Sequence, residues 1–195
     1  MYNPDYHHRR SIRLPDYDYS GMGQYFITIC SQNMVYLFGR VENGGMILNP
    51  AGRMAQKWWS KLPNKFLTIR LGVFVVMPNH IHGIVEIIDD VGADLCVCPN
   101  QQGRHRGLPI PPGLPLRRSQ QLIPRVVQWF KTMSTNEYIK NVKQNNWSPF
   151  DQRLWQRNYY EHIIRNQIEY QKISEYIINN PLNWDEDRNS IKKIG

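Results

Sequence analysis

The sequence predicts an α+β fold in which helices pack on an antiparallel sheet, and three observations carry that prediction. β-branched and aromatic runs recur at Tyr25–Cys30 and on both sides of a Pro78-Asn79 turn signal. Helical periodicity separates those runs, first over residues 50–62 and then over 122–143. The two runs around Pro78-Asn79 lie too close together for a crossover, so they form a hairpin within the sheet.

Residues 1–20 are polar and carry the basic segment Arg9-Arg10-Ser11-Ile12-Arg13, read as a surface arm able to lie along a phosphate backbone. Tyr25-Phe26-Ile27-Thr28-Ile29-Cys30 is the first strand. Gly44-Gly45 marks a turn, and Met46-Ile47-Leu48 makes a short strand behind it. Asn49 before Pro50 starts a helix, because Asn caps well and Pro suits the first helical position. That helix shows Met54, Trp58 and Leu62 at i, i+4, i+8, an apolar stripe expected to face the sheet, and Pro63-Asn64 ends it. Phe66 to Arg70 is read as a strand or edge segment leading into the hairpin.

Between Asp89 and Ser119 regular patterning is lost among five prolines and four glycines, so 89–119 is expected to be an irregular insertion. Cys96, Cys98 and His105 within it supply only three candidate zinc ligands and lack a second cysteine pair, which makes zinc a poor reading. Leu122 to Lys143 is helical, with Val126, Val127, Phe130 and Met133 near one face. Trp155-Gln156-Arg157-Asn158-Tyr159-Tyr160 is extended and aromatic, expected to be the last strand. A final helix runs from about Asn166 to Asn180, where Pro181 disfavours helix for the residue before it.

Composition narrows the function. A chain of 195 residues with 41% hydrophobic and 21% charged residues fits one globular domain, here 1–195. The N-terminus has no apolar core after its charges, and the apolar run Leu71–Met77 is too short to cross a bilayer, so a cytoplasmic protein is expected. Three cysteines do not suggest a disulfide framework. The net charge of +8 favours a polyanionic partner, nucleic acid first, and abundant aromatics add surfaces on which unpaired bases can stack.

The chemistry concentrates at His80-Ile81-His82. Alternation on a strand sends His80 and His82 to one face, about 6.6 Å apart along the backbone. Two imidazoles so held can reach one cation at about 2.0–2.2 Å. The histidine-triad nucleotide hydrolases would need a third histidine at 84, where this chain has Ile. In the last helix Tyr176 and Asn180 are four residues apart and share a face, offering a phenol and an amide oxygen to the same site. Two nitrogens and one oxygen with open positions suit Mg²⁺ or Mn²⁺ bound together with a substrate phosphate. Tyrosine is a rare nucleophile but can form covalent intermediates. Tyr159, Tyr160 and Tyr170 remain rivals at this level.

Three motifs in order, Met77-Pro78-Asn79-His80-Ile81-His82, Trp155-Gln156-Arg157-Asn158-Tyr159-Tyr160-Glu161-His162 and Tyr176-Ile177-Ile178-Asn179-Asn180-Pro181, resemble the REP-associated tyrosine transposases. These are HUH single-strand nucleases, close to the single-tyrosine transposases of bacterial insertion sequences. The resemblance extends to Arg9–Leu14 and Tyr25–Cys30 and covers most of the chain outside 89–119. It implies a ferredoxin-like sheet with the His-x-His pair on a central strand. His80, His82 and Asn180 would be the metal ligands and Tyr176 the nucleophile, with His162 in a structural or DNA-contacting role. The implied substrate is single-stranded DNA beside hairpins or palindromes, cut and rejoined through a 5′-phosphotyrosine with Mg²⁺ or Mn²⁺. Arg9, Arg10, Arg13, Lys131, Arg157 and Arg165 are the candidate DNA contacts, and the protein is expected to act as a monomer or homodimer. Two rivals are a non-catalytic binder of structured DNA and a metal hydrolase of small phosphate esters. The charge of +8 argues against the second, since a small ester needs no extended basic surface.

Overall fold

The computed structural model describes residues 22–88, 122–186 and 189. The basic arm with Arg9, Arg10 and Arg13 lies outside the described residues, and so does the 89–119 insertion with Cys96, Cys98 and His105.

Among the described residues, six strands and four α-helices follow in the order β1 (Gly23–Cys30), β2 (Gly39–Glu42), β3 (Gly45–Leu48), α1 (Pro50–Ser60), α2 (Leu62–Lys65), β4 (Ile69–Val76), β5 (His80–Ile87), α3 (Leu122–Gln144), β6 (Tyr160–Ile164) and α4 (Gln167–Asn179). Short 3-10 turns occupy Gln32–Met34 and Trp184–Glu186. The main sheet is antiparallel in the order β4-β5-β1-β6, which is the split β-α-β arrangement of the ferredoxin-like fold. β5, with the two histidines, is therefore an interior strand, as the motif predicts.

Register follows from alternation. On β1, Tyr25, Ile27 and Ile29 enter one core with Ile81, Val85 and Ile87 of β5, while Phe26 joins Ile84 on the other face. One extra residue in β4 lies between the pairs Leu71↔Val85 and Phe74↔Gly83, a bulge that puts Gly72 and Val73 on the same face. β4 itself begins at Ile69, so only the end of the expected 66–70 segment is strand, and Leu62–Lys65 is a helical turn.

α1 starts as expected, with Asn49 Oδ1 accepting from Gly52 N at 2.9 Å. Its buried face is offset from the expected stripe: Trp59 is fully buried, and Trp58 is half-buried. The seam is Ala51-Ala55-Trp59-Leu62, whose small residues let the helix approach closely. At Gly52 an added Cβ would lie 2.1 Å from the Phe38 carbonyl oxygen. Trp58 instead donates its indole N–H to Glu137 of α3 at 2.8 Å.

Two further expectations change. Met46–Leu48 pairs only with β2, in a ribbon separate from the main sheet whose tight turn uses Asn43 and Gly44, both at positive φ. The last strand is Tyr160–Ile164 rather than 155–160. Trp155 makes one isolated bridge to Ser31, then stacks on Phe38 and donates to Ser134 Oγ at 2.9 Å. Its aromatic character serves the core, not a ladder. No helix among the described residues is long and apolar enough to cross a membrane.

Candidate active site

α1 and α3 cover one face of the sheet, and α4 lies against the other. Asn166 caps α4 by accepting from Glu169 N at 2.9 Å, and Glu169 accepts in turn from Arg165 N at 2.7 Å. That backbone bond, and next the bond to His162 Nε2 at 2.7 Å, holds the Glu169 carboxyl below its ordinary range. His162 thus ties β6 to the start of α4. Ile177 is fully buried, and with Ile173 it seats the helix on Phe26, Ile84 and Ile164.

That seating brings the C-terminal half of α4 to the histidines. Tyr176 Oη lies 3.2 Å from His82 Nε2, and the His80 and His82 rings are 4.3 Å apart. Both imidazoles are buried, at 0% and 2% exposure, whereas Tyr176 is 41% exposed and open to a large substrate. Asn180 caps α4 one turn beyond Tyr176 and is 1% exposed. Each ring is held through Nδ1: His82 by Thr28 Oγ1 at 2.8 Å, His80 by Asn79 Oδ1 at 2.8 Å. Trp184 stacks against His80 at 5.9 Å between ring centres.

The donor chemistry fits a divalent cation. Two imidazoles fixed through Nδ1 would use their Nε2 atoms, the arrangement outer-shell hydrogen bonds commonly impose on metal-binding histidines. An amide oxygen and substrate oxygens would complete a set without thiolate, suited to Mg²⁺ or Mn²⁺. Among the described residues no three His, Cys, Asp or Glu side chains gather as a metal-binding group.

Of the expected DNA contacts that are described, Arg157 and Arg165 are exposed. Lys131 is placed differently. Its ammonium donates to the carbonyls of Gln156 at 2.8 Å, Asn158 at 3.0 Å and Arg157 at 3.4 Å. Burial lowers its pKa to about 8. These bonds tie the ammonium to the 156–158 loop.

Thr28 and Asn79 are site residues that the sequence reading missed. Thr28 was findable, since it shares the Phe26 face of β1 and pairs with His82 once the register is known. Tyr160, also paired with Thr28, is 42% exposed and packs edge-on to Phe26, as Tyr176 does from α4. Tyr176 makes a hydrogen bond to a histidine of the pair, while Tyr159 donates to Glu161 at 2.8 Å.

A ferredoxin-like sheet with a His-x-His pair on an inner strand and a tyrosine brought to it from a flanking helix thus defines the site. The chain is 43% identical over 187 residues to an uncharacterized protein of Haemophilus influenzae strain Rd, covering 96% of each, and it belongs to the same family as that protein. No family model matches the chain. Among solved structures it is similar to a REP-associated tyrosine transposase bound to a REP hairpin, at a TM-score of 0.49 and 16% identity, covering 83% of this chain and 68% of that one. It is also similar to a candidate transposase of Deinococcus radiodurans, at a TM-score of 0.42 and 14% identity, covering 86% and 95%.

Proposed function

We propose that this protein is a metal-dependent DNA transesterase of the tyrosine transposase kind, cutting and rejoining single-stranded DNA beside hairpins. The observation that carries the reading is the 3.2 Å approach of the partly exposed Tyr176 hydroxyl to His82 of the buried histidine pair. A tyrosine serving only the core would have its hydroxyl buried or turned to solvent, not set against the Nε2 of a buried strand histidine.

His80, His82 and Asn180 would hold Mg²⁺ or Mn²⁺. Such a cation supplies charge stabilisation and orientation to the scissile phosphate. Tyr176 Oη forms the new bond to phosphorus while the bond from phosphorus to the 3′-oxygen breaks. The phenol proton is lost, and the leaving 3′-oxygen gains one. The protein then carries a 5′-phosphotyrosine, and the released strand ends in a 3′-OH. A second 3′-OH reverses the step and joins the strands without ATP, because one phosphodiester has been exchanged for another. Arg157 and Arg165, exposed at the two ends of β6, would contact the DNA backbone together with Arg9, Arg10 and Arg13 of the arm. Tyr160 and Tyr176, on either side of Phe26, offer rings to unpaired bases at roughly 1–3 kcal/mol each.

The test is incubation of labelled hairpin-bearing single strands with Mn²⁺, followed by detection of a covalent protein–DNA adduct. Tyr176→Phe should abolish the adduct while leaving DNA binding and folding nearly unchanged, since only the hydroxyl is removed. Excess chelator should abolish it for the parent protein. An adduct that survives in the Phe variant would move the nucleophile to another tyrosine, and one that survives chelation would end the metal reading.

A further inference from the structure

We propose that Asn79 is a positioning residue that fixes the tautomer of His80, with the proton on Nδ1 and the lone pair on Nε2. This deepens the proposed metal site and rests on it. Asn79 is fully buried at the hairpin turn. One end of its amide faces two backbone carbonyls, Asn189 at 2.8 Å and Met34 at 3.2 Å. Carbonyl oxygens only accept, so that end must be the NH₂ group. The opposite end is then the amide oxygen, which also only accepts, and it lies 2.8 Å from His80 Nδ1. His80 must donate there. A neutral imidazole carries one proton, so Nε2 is left as the basic nitrogen.

Three segments distant in sequence set this proton. Met34 belongs to the 3-10 turn after β1, and Asn189 follows the turn holding Trp184, whose ring also packs on His80. Asn79 is itself held by its backbone, its carbonyl accepting from Ser31 N at 2.8 Å. The amide therefore cannot flip without losing two hydrogen bonds and setting its oxygen against two others. His82 has no equivalent guarantee, because the Thr28 hydroxyl can donate or accept.

The test reads the proton directly. Nitrogen-15 NMR of the metal-free wild-type protein, at a pH where the rings are neutral, should show His80 protonated at Nδ1. Asn79→Ala should shift His80 toward the Nε2-protonated form and weaken Mn²⁺ binding, followed by electron paramagnetic resonance, by roughly ten- to a hundredfold. Asn79→Asp keeps an acceptor toward Nδ1, so it should keep the tautomer even if stability falls. A wild-type His80 protonated at Nε2 overturns the proposal, and this measurement needs no variant to fold. Equal Mn²⁺ affinity in wild type and Asn79→Ala overturns it as well. An Nδ1-protonated His80 in a wild-type protein that binds no Mn²⁺ supports the tautomer assignment and instead sinks the metal reading beneath it.

Discussion

The two faces of the sheet are built on opposite terms. Under α1 and α3 lies a continuous dry core of Tyr25, Ile27, Ile29, Trp59, Ile81, Val85 and Phe130, where the Trp59 and Phe130 rings meet edge-on. Among the described residues, the buried apolar cluster under α4 is Phe26, Ile84, Ile164 and Ile177, and Thr28, His80, His82 and Asn180 are buried beside them. Charge divides the same way. α1 and α3 carry Arg53, Lys57, Arg125, Lys131, Lys140 and Lys143 against one acid, Glu137, while α4 sets Glu169 and Glu175 against Lys172. One face supplies the free energy that holds the sheet rigid, and the other uses that rigidity to hold a site. A polar constellation can be buried thinly only where the sheet beneath it is secured from behind.

The largest effect that should follow is at the back face. Trp59→Ala removes a fully buried indole from the centre of the dry core and should cost about 3–5 kcal/mol in a urea unfolding curve. Ile177→Ala, on the site face, should instead loosen α4 locally. Amide exchange should quicken over Gln167–Asn179 and adduct yield should fall, while β1 and β5 stay protected. If Ile177→Ala lowers the urea midpoint as far as Trp59→Ala does, the two faces are one cooperative unit and the contrast fails.

Two glycines sharpen the same contrast on a smaller scale. A Cβ at Gly83 would lie 2.4 Å from the Trp59 ring and 3.0 Å from Phe74 Cβ, both in the dry core. Gly83→Ala should therefore overpack and cost about 1–3 kcal/mol. At Gly72, on the α4 face, the nearest atoms are Ile84 Cβ and the Tyr170 hydroxyl, each at 3.0 Å. Gly72→Ala should cost less, because the far end of Tyr170 and a thinly packed helix can give way. The reverse ranking in urea midpoints would mean that the α4 face is the tighter one.

The site was more legible in the sequence than the packing around it. Period-two alternation puts His80 and His82 together whatever surrounds them, and four-residue spacing does the same for Tyr176 and Asn180. Such short-range geometry needs only the element type. Trp59 was hidden because its partners on the seam are Ala51 and Ala55, whose small side chains carry little hydropathic weight beside Trp58. The last strand was misplaced because burial of Trp155 and strand pairing of Tyr160 look alike in composition. Thr28 and Asn79 depend on register and on two distant carbonyls, which no local pattern encodes.

Lys131 tests the division of charge, and its expected effect is the smallest. Counted from the sequence it is one of the cations available to DNA, but its ammonium donates to the carbonyls of Gln156, Arg157 and Asn158. Burial disfavours the charged form and brings its pKa from the ordinary 10.5 to about 8. Between those two values the unfolded chain holds a proton at this residue that the folded chain has released. Stability contributed by Lys131 must therefore rise with pH across that window, and it should be flat below it. Lys131→Met keeps the aliphatic stem and cannot titrate, so the difference in urea midpoint between wild type and variant isolates this one group. That difference should move in favour of wild type from pH 8 to pH 10. At pH 7 the variant should show faster amide exchange over 156–160, and the salt dependence of DNA binding should keep its slope, because no phosphate contact has been lost. A slope reduced by about one unit would return Lys131 to the DNA-binding surface. A midpoint difference that does not change with pH would show that the ammonium is solvated after all.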